Sequence, residues 1–189
     1  MDQPTLRTPR LVLRPFRPDD AAAVQRLAGD RSVASTTLNI PHPYPDGLAE
    51  SWIATHRPAW EAGDRATFAI TTLDDELRGG IALKLTQRHR CGELGYWIAR
   101  EYWGQGFATD AARAVVDFAF GVLTLNRVQA SYIPRNPASG RVMEKLGMSR
   151  EGLHRERYRK GDQFEDVIEF AVLRREWPHP SARCSLTNR

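Results

Sequence analysis

Alternating hydrophobic and polar residues predict a succession of β-strands along the chain. Short segments in which β-branched or aromatic residues alternate with polar ones, or run together, are typical of strands. We assign such segments to residues 10–16, 66–72, 80–86, 93–98, 128–132 and 166–173. Residues 39–47 contain three prolines, which exclude regular structure there.

Hydrophobic residues recur at helical spacing in further segments, and these predict helices. The segments are residues 18–28, 48–62, 107–123 and 139–147. Asp19 or Asp20 suits the N-cap of the first helix, and Gly147 suits the C-terminal end of the last. Two leading helices followed by alternating strands and helices indicate an α+β domain with a mixed sheet.

Two of the predicted helices have clear apolar faces. In 48–62 the face consists of Leu48, Trp52, His56 and Trp60. In 107–123 it consists of Ala108, Ala111, Ala112, Val115, Ala119 and Val122, with Asp110, Arg113 and Asp117 opposite. The second pattern predicts a helix packed on a sheet.

The most distinctive segment is W-G-Q-G-F-A-T at residues 103–109, between the strand 93–98 and the helix 107–123. The first turn of a helix has unpaired N–H groups and the positive end of the helix dipole. Gly104 and Gly106 carry no Cβ, so the backbone there can approach a ligand closely. The segment predicts an anion site, although tight packing of strand on helix would favour the same glycines.

Three phosphate-binding motifs compete for this segment. The Walker loop is excluded because no G-K-[ST] follows. The dinucleotide fingerprint is not favoured, since Thr109 occupies its third glycine position and no acidic partner for a ribose follows about 20 residues on. The pattern Q/R-x-x-G-x-G/A, in which successive amides hold a pyrophosphate, fits at Gly106 and Ala108, with Trp103 at its first position.

Composition narrows the class of protein. The 189 residues are 41% hydrophobic and 26% charged, as in globular proteins, and fit one domain over residues 1–177 with a polar tail at 178–189. No segment is apolar over the length of a membrane span and the N-terminus has no secretory pattern, so we expect a cytoplasmic protein. Cys91 and Cys184 have no ligand-like spacing, so no metal is expected; two free thiols are favoured, and one disulfide stays open.

The formal charge of +4 invites a nucleic-acid interpretation. Apart from Lys84, Lys145 and Lys160 the basic residues are arginines, and they are spread among acidic ones. The densest cluster, residues 155–162, has no glycine–aromatic RNA-binding signature around it. Nucleic-acid binding is therefore not favoured, although a mild positive field favours a polyanionic ligand.

Five segments in a fixed order resemble one family. They are T-P-R-L-V-L-R-P-F-R-P-D-D (8–20), G-E-L-G-Y-W-I-A-R-E-Y-W-G-Q-G-F-A-T-D-A (92–111), N-P-A-S-G-R-V-M-E-K-L-G-M (136–148), E-G-L-H-R-E-R-Y (151–158) and D-V-I-E-F-A-V-L-R-R-E-W (166–177). Together they resemble the RimJ/RimL-like branch of the GNAT N-acetyltransferases. The resemblance implies a mostly antiparallel sheet of about seven strands, splayed between 93–98 and 128–132 and flanked by about four helices.

The resemblance also implies that acetyl-CoA lies in the gap between the splayed strands. Its pantetheine would pair with the strand edge at Ile98, Ala99 and Arg100, and with the side chain of Asn136. A turn residue before Pro137 is the competing interpretation of Asn136. The pyrophosphate would be held along the glycine turn, by Trp103, Gly104, Gln105, Gly106, Phe107, Ala108 and Thr109.

Acetyl transfer from a thioester to an amine needs a base, an oxyanion donor and an acid for the thiolate. Glu93 is the first candidate for the base, acting through a water, against the alternative of a solvent-facing carboxylate; Glu156 is the second. The backbone N–H near Ile98 is the candidate oxyanion donor.

The tyrosine that often serves as acid in this family is replaced here by Met143. Ser139 is its candidate substitute, and Tyr132 is a weaker one. A helix N-cap is the competing interpretation of Ser139. Direct attack needs no covalent enzyme intermediate, so Cys91 is interpreted as a half-buried structural thiol.

The acceptor site is expected between the first helices and their proline-rich connection. Tyr44, Tyr96 and Trp97 are its candidate walls. The expected partners are acetyl-CoA and an amine, either a peptide N-terminus or a small amine, with polycations slightly disfavoured; a homodimer stays open. The rival hypothesis is a CoA-binding sensor or nucleic-acid-associated module that keeps the fold without the chemistry, as the loss of tyrosine at Met143 permits.

Overall fold

The computed structural model describes residues 2–178, which form one eight-stranded sheet and six α-helices. The strands are β1 (Leu6–Arg7), β2 (Val12–Pro15), β3 (Arg65–Thr71), β4 (Leu77–Thr86), β5 (Cys91–Ile98), β6 (Arg127–Tyr132), β7 (Ser149–Lys160) and β8 (Gln163–Leu173). The helices are α1 (Ala21–Ala28), α2 (Arg31–Ser35), α3 (Leu48–Ala54), α4 (His56–Glu61), α5 (Phe107–Gly121) and α6 (Pro137–Lys145). The predicted α+β class is confirmed.

The strands follow the order β1-β2-β3-β4-β5-β6-β8-β7, and neighbours are antiparallel except at one place. β5 and β6 are parallel and pair only from Cys91 opposite Arg127 to Leu94 opposite Ala130. Beyond Leu94 and Ala130 the two strands no longer pair with each other. β5 continues to Ile98 beside β4, and β6 continues to Tyr132 beside β8. The sheet is therefore splayed in its middle, as the resemblance implied.

Helix α5 covers one face of the sheet beneath this splay. Its predicted apolar face is largely buried, and four of its residues are fully buried: Ala111, Ala112, Val115 and Ala119. Phe118 meets Phe68 of β3 edge-on, with ring centroids 6.0 Å apart. Burial of a side chain of this size stabilises the fold by about 2 kcal/mol. Val122 departs from the prediction: the helix ends at Gly121, and Val122 is 50% exposed.

The predicted helix at 48–62 is two helices, α3 and α4, which meet at Thr55. Pro58 explains the division, because it has no N–H to donate to the carbonyl four residues earlier and its ring crowds that carbonyl. The expected common face divides too. Trp52 and His56 pack against Phe16, whereas Trp60 packs against Phe118.

Helix α6 begins earlier than predicted, at Pro137, with Asn136 as its N-cap. The N-cap interpretation of Ser139 is therefore wrong, because Ser139 is the third residue of the helix. The predicted end is confirmed: Gly147 has φ 74°, and the N–H of Met148 donates to the carbonyl of Met143 at 3.1 Å. This arrangement satisfies the last carbonyls of the helix.

At the first helix, Asp20 directly precedes α1, but its carboxylate does not cap it. It accepts instead from the backbone N–H of Arg17 at 2.7 Å and from both terminal nitrogens of Arg14 at 2.8 Å. Burial would raise the pKa of Asp20, but the Arg14 and Arg17 hydrogen bonds outweigh burial and hold it below its usual range. Arg14 is itself only 6% exposed, so a buried ion pair decides the position of this aspartate.

The hydrophobic pattern does not predict β1, α2 and β7. β1 and α2 are too short to show a period. β7 is one of the two edge strands, exposed along most of its length, and its register shifts after Arg150 and again after His154. A polar, irregular edge strand carries almost no alternation to detect.

Within residues 2–178 no helix is both long and apolar enough to cross a bilayer. The predicted polar tail lies outside the described residues apart from Pro178, and so does Cys184. The domain boundary at residue 177 stays a prediction.

Candidate active site

One large cleft, of about 740 Å³, opens where β5 and β6 separate. It extends from the N-terminus of α5 to the segment that joins α2 and α3. The cleft brings together most of the candidate residues: Tyr44, Glu93, Tyr96, Trp97, Ile98, Trp103, Gly104, Gly106, Phe107, Ala108, Thr109, Asn136 and Ser139. The side chains of Ala99, Arg100 and Gln105 are not among its lining.

The glycine turn forms one end of the cleft. Gly104 and Gly106 have φ values of 77° and 82°, which only glycine adopts without strain. The first helical hydrogen bond of α5 joins the N–H of Asp110 to the carbonyl of Gly106 at 3.0 Å. The N–H groups before Asp110 have no earlier turn to bond to, and they coincide with the positive end of the helix dipole. The glycines are therefore required for backbone conformation, and the exposed amides suit a phosphate group.

Arg10 braces this turn from outside the cleft. Its guanidinium donates to the carbonyl of Gln105 at 3.1 Å and to the carboxylate of Asp110 at 2.9 and 2.5 Å, and it lies 5.1 Å from the Phe107 ring centroid. The pairing with Asp110 also neutralises a carboxylate in the first turn of α5, which would otherwise repel a bound phosphate. Local pattern could not find this contact, since Arg10 and Asp110 are 100 residues apart.

The open edge of β5 lies next to the turn. The N–H of Ala99 donates to the carbonyl of Arg78 on β4 at 2.8 Å. Because hydrogen bonds to one neighbour alternate along an antiparallel strand, the N–H of Ile98 points to the opposite side, into the gap beside β6. The carbonyl of Ile98 already accepts a hydrogen bond from the Trp103 indole at 2.7 Å. Of the expected backbone contacts at 98–100, the Ile98 N–H is therefore the group directed into the cleft.

Glu93 is half-buried on β5, in the last segment that still pairs with β6. It lines the large cleft and also a second, small cavity of about 10 Å³, which Arg157 and Glu169 line as well. A cavity of this size holds about one water molecule. Glu156, the second candidate base, is exposed, does not line the cleft, and lies within the irregular part of β7, with φ 50°.

Tyr96 and Ser139 meet across the cleft, from β5 and α6. Their hydroxyl oxygens are 2.8 Å apart, and the Tyr96 hydroxyl also lies 3.2 Å from the Ser139 carbonyl oxygen. Burial raises the pKa of Tyr96 to about 12, although the hydrogen bond with Ser139 acts in the opposite direction. Tyr96 is therefore protonated at neutral pH. The sequence places Tyr96 only among the acceptor walls, and nothing local indicates this pairing.

The remaining candidates have mainly structural neighbours. The Asn136 side chain accepts from the N–H of Ser139 at 3.4 Å and donates to the carbonyl of Thr36 at 3.1 Å. The Tyr132 ring lies against Gly140 and Phe170. Met143, at the position of the missing tyrosine, is 1% exposed. Cys91 is half-buried outside the cleft lining, with its Sγ 3.2 Å from the carbonyl oxygen of His89.

The opposite side of the cleft, which we term the N-terminal wall, is formed by α1 to α3 and their connections. It consists of Val24, Ala28, Val33, Thr36, Thr37, Leu38, Asn39, Ile40, Pro41, Tyr44, Leu48 and Trp52. None of these side chains carries a charge at neutral pH. Burial, and then the nearby Glu50, raise the pKa of Tyr44. Around the whole lining given by residues 2–178, the charged side chains are Glu93, Arg141 and Lys145.

Comparison with known proteins agrees with this geometry. Residues 10–149 match the family model of the acetyltransferase (GNAT) domain. The uncharacterized N-acetyltransferase p20 of Bacillus licheniformis is 31% identical over 176 residues, which cover 92% of this chain and 98% of p20. The structure of Mycobacterium smegmatis RimJ in complex with CoA-disulfide has a TM-score of 0.81 at 26% identity, covering 92% of this chain and 88% of RimJ.

A further relative is the spermidine N(1)-acetyltransferase of Vibrio cholerae, 24% identical over 169 residues, which cover 89% of this chain and 95% of that protein. The matched domain, the splayed sheet and the glycine turn at the start of α5 agree with one another. The chain belongs to the GNAT acetyltransferase family, in its RimJ/RimL-like branch, and is an acyl-CoA-dependent N-acetyltransferase.

Proposed function

We propose that this cleft transfers the acetyl group of acetyl-CoA to a primary amine that carries one positive charge and has an apolar or uncharged neighbourhood. The observation that carries the proposal is the lining of the cleft. It joins a helix N-terminus for the donor, an open strand edge for the thioester, one carboxylate and an uncharged wall.

In the donor half, the amides from Gly104 to Thr109 would hold the pyrophosphate, with Arg10 stabilising the turn from behind. The Ile98 N–H would pair with the pantetheine or with the thioester oxygen, where negative charge develops in the transition state. The indole of Trp103 bonds the Ile98 carbonyl, so a pantetheine that pairs with this carbonyl would have to displace it. Asn136 would face the same groove while keeping its bond to Thr36.

In the reacting centre, Glu93 would take the proton of the ammonium group through a water and leave a neutral amine. The amine nitrogen then attacks the acetyl carbon, a C–N bond forms and the C–S bond breaks. Ser139 would donate its proton to the departing thiolate and regain one from the acetylated nitrogen, which loses its second proton as the amide forms. The Tyr96 hydroxyl, 2.8 Å from that of Ser139, would donate a hydrogen bond to Ser139 during this exchange. Overall an ammonium group and a thioester give an amide, a thiol and one proton.

The acceptor class follows from charge. A polyamine keeps two or more ammonium groups after the reacting one is deprotonated, and burying them requires carboxylates. Within the described residues, Glu93 is the one carboxylate of the lining, so a second ammonium group would find no carboxylate to pair with. Peptide N-termini and small monoamines therefore suit the site better than spermidine, the substrate in the name of the Vibrio relative.

Thiol release from acetyl-CoA with a panel of amines tests this function. We expect turnover with short peptides of uncharged side chains and with arylalkyl monoamines, and at least about tenfold lower kcat/KM with spermidine, because an unpaired buried charge costs more than about 1.4 kcal/mol. Equal or better turnover with spermidine would contradict the acceptor class. Absence of turnover with every amine, while acetyl-CoA still raises the Tm, would instead favour the CoA-binding sensor.

Replacing Glu93 tests the base. Glu93→Gln is expected to lower kcat by about a hundredfold, the lower range for loss of a general base, with acetyl-CoA affinity unchanged. Glu156→Gln is the matched control, because it removes the rival carboxylate outside the cleft and should leave kcat unaltered. The reverse result would transfer the role to Glu156.

A further inference from the structure

The C-terminal end of α2 is held by side chains from a distant part of the chain. The carbonyls of Ala34 and Thr37 both accept from the ammonium group of Lys160, at the end of β7. Between them, the carbonyl of Ser35 accepts from Arg135 at 3.2 Å and that of Thr36 from Asn136 at 3.1 Å. Four successive carbonyls are thus bound by three side chains 100 or more residues away along the chain.

Charge complementarity supports this arrangement, which we term the α2 clasp (Lys160, Arg135 and Asn136). Cations suit the last carbonyls of a helix, which have no partners within it. Lys160 is half-buried, so its N–H groups rely on these carbonyls in place of water. Arg135 is fixed in turn by an ion pair with Glu165 of β8. The clasp therefore connects the β7–β8 hairpin and the start of α6 to the first helices.

The clasped carbonyls lead directly into the N-terminal wall of the cleft. Residues 36–41 all line it, and residues 36–47 form neither helix nor strand. A segment without a hydrogen-bond ladder of its own takes its conformation from the contacts at its ends. Here the contacts at its first end are those of the clasp.

We infer that Lys160 and Arg135 are positioning residues for the amine substrate: they hold the N-terminal wall in the conformation that the acceptor meets. This inference rests on the proposed function for the identity of the acceptor, but the wall conformation can be measured independently. The hairpin tip, which lies outside the cleft lining, then acts on acceptor binding and not on the donor half.

Lys160→Met tests the inference, since it keeps the length of the side chain and removes its charge and donors. We expect the KM for the amine to rise at least about tenfold, because the substitution removes both hydrogen bonds of the ammonium group and one charged hydrogen bond corresponds to about this factor. The KM for acetyl-CoA should stay unchanged, and Lys160→Arg should restore most of the amine KM. Arg159→Met is the matched control, because Arg159 is a cation of the same hairpin whose side chain donates to the carbonyl of Gly161 at 2.8 Å and to the carboxylate of Asp162 at 3.1 Å.

Hydrogen exchange of the full chain gives a readout that does not depend on activity. Amides in residues 36–41 should exchange faster in Lys160→Met than in the wild type or in Arg159→Met. An equal rise of both KM values, failure of Lys160→Arg to rescue, or unchanged exchange in 36–41 would overturn the inference. If the wild-type protein acetylates no amine, the proposed function fails. The hydrogen exchange rates of residues 36–41 then still show whether the α2 clasp holds the N-terminal wall. Arg135→Gln, which leaves Lys160 in place, provides the same measurements if Lys160→Met does not fold.

Discussion

At the scale of single residues, His56 illustrates how burial changes the chemistry of a group that the sequence shows only as part of an apolar face. It is 6% exposed, with its ring 4.3 Å from the Trp52 centroid and 5.3 Å from that of Phe16. Among the described residues neither ring nitrogen has a hydrogen-bond partner. Burial, with a smaller contribution from Arg65, lowers the pKa of His56 to about 4.

His56 is therefore expected to make stability depend on pH. The unfolded chain binds a proton at His56 below pH 6.5, whereas the folded chain binds it only near pH 4. Stability from this group is complete above pH 6.5 and falls as the pH is lowered towards 4, by about 3 kcal/mol in total. Chemical denaturation between pH 7.5 and about 4.5 measures this dependence.

The His56→Phe variant should lose this part of the pH dependence, since it has no proton to bind. His154→Gln is the control, because His154 is partly exposed and its Nε2 lies 2.6 Å from the carboxylate of Glu169. Parallel pH profiles for wild type and His56→Phe would contradict the assignment.

At the scale of elements, α6 is set against β6 at a distance that only glycine permits. A Cβ on Gly140 would lie 2.7 Å from the Tyr132 ring and 2.9 Å from its hydroxyl oxygen. The same helix carries Asn136 at its N-cap and Ser139 opposite Tyr96. Any shift of α6 therefore changes the reacting centre.

Gly140→Ala is expected to destabilise the protein, although alanine in a helix interior normally stabilises by about 1 kcal/mol relative to glycine. The sign reverses because contact with Tyr132 forces the helix outward, an overpacking that costs about 1–3 kcal/mol. Thermal unfolding measures the stability, and thiol release measures the accompanying loss of kcat. In the Gly140→Ala, Tyr132→Leu double variant the two changes should couple. The double variant should lose less stability than the two single variants lose in sum. Additive effects would show that the ring is not the obstacle.

At the scale of the whole molecule, the two halves of the sheet are joined by a short parallel ladder that ends at Leu94 and Ala130. The cleft lies beyond that ladder and is lined by residues of β5 and α5 on one half of the sheet and of β6 and α6 on the other. A ligand that occupies the gap contacts both halves, and any molecule that binds only the folded state stabilises it.

Acetyl-CoA at about a hundred times its Kd should stabilise the protein by about 2.7 kcal/mol, which corresponds to a Tm increase of several degrees. Gly106→Ala should reduce this increase, because alanine is strained at φ 82° and its Cβ would lie 3.2 Å from Arg10. Gly161→Ala, which removes a glycine of φ 58° in the β7–β8 turn, should keep the full ligand-induced shift relative to its own Tm. Equal shifts in both variants would argue against the turn as the pyrophosphate site.

Much of the fold and of the donor site follows from local sequence. The helix α5, the strand β5 and the turn with Gly104 and Gly106 each depend on residues close together in the chain, so periodicity and backbone chemistry suffice to predict them. The resemblance extends this to the family, the co-substrate and the splayed sheet. The bounds are less exact: Pro58 divides one predicted helix, and Pro137 begins another two residues early.

Only the tertiary structure decided which side chains meet. From the sequence, the glycine turn alone predicted an anion site, and the resemblance over five ordered segments added the acetyl-CoA-dependent N-acetyltransferase. Folding decided that Arg10 braces that turn, that Tyr96 pairs with Ser139, and that Lys160 holds the carbonyls of α2. These contacts join residues 43 to 126 positions apart, and no local pattern encodes a partner at that distance. The acceptor wall is built from such contacts, so its charge and shape can be read only once the chain is folded.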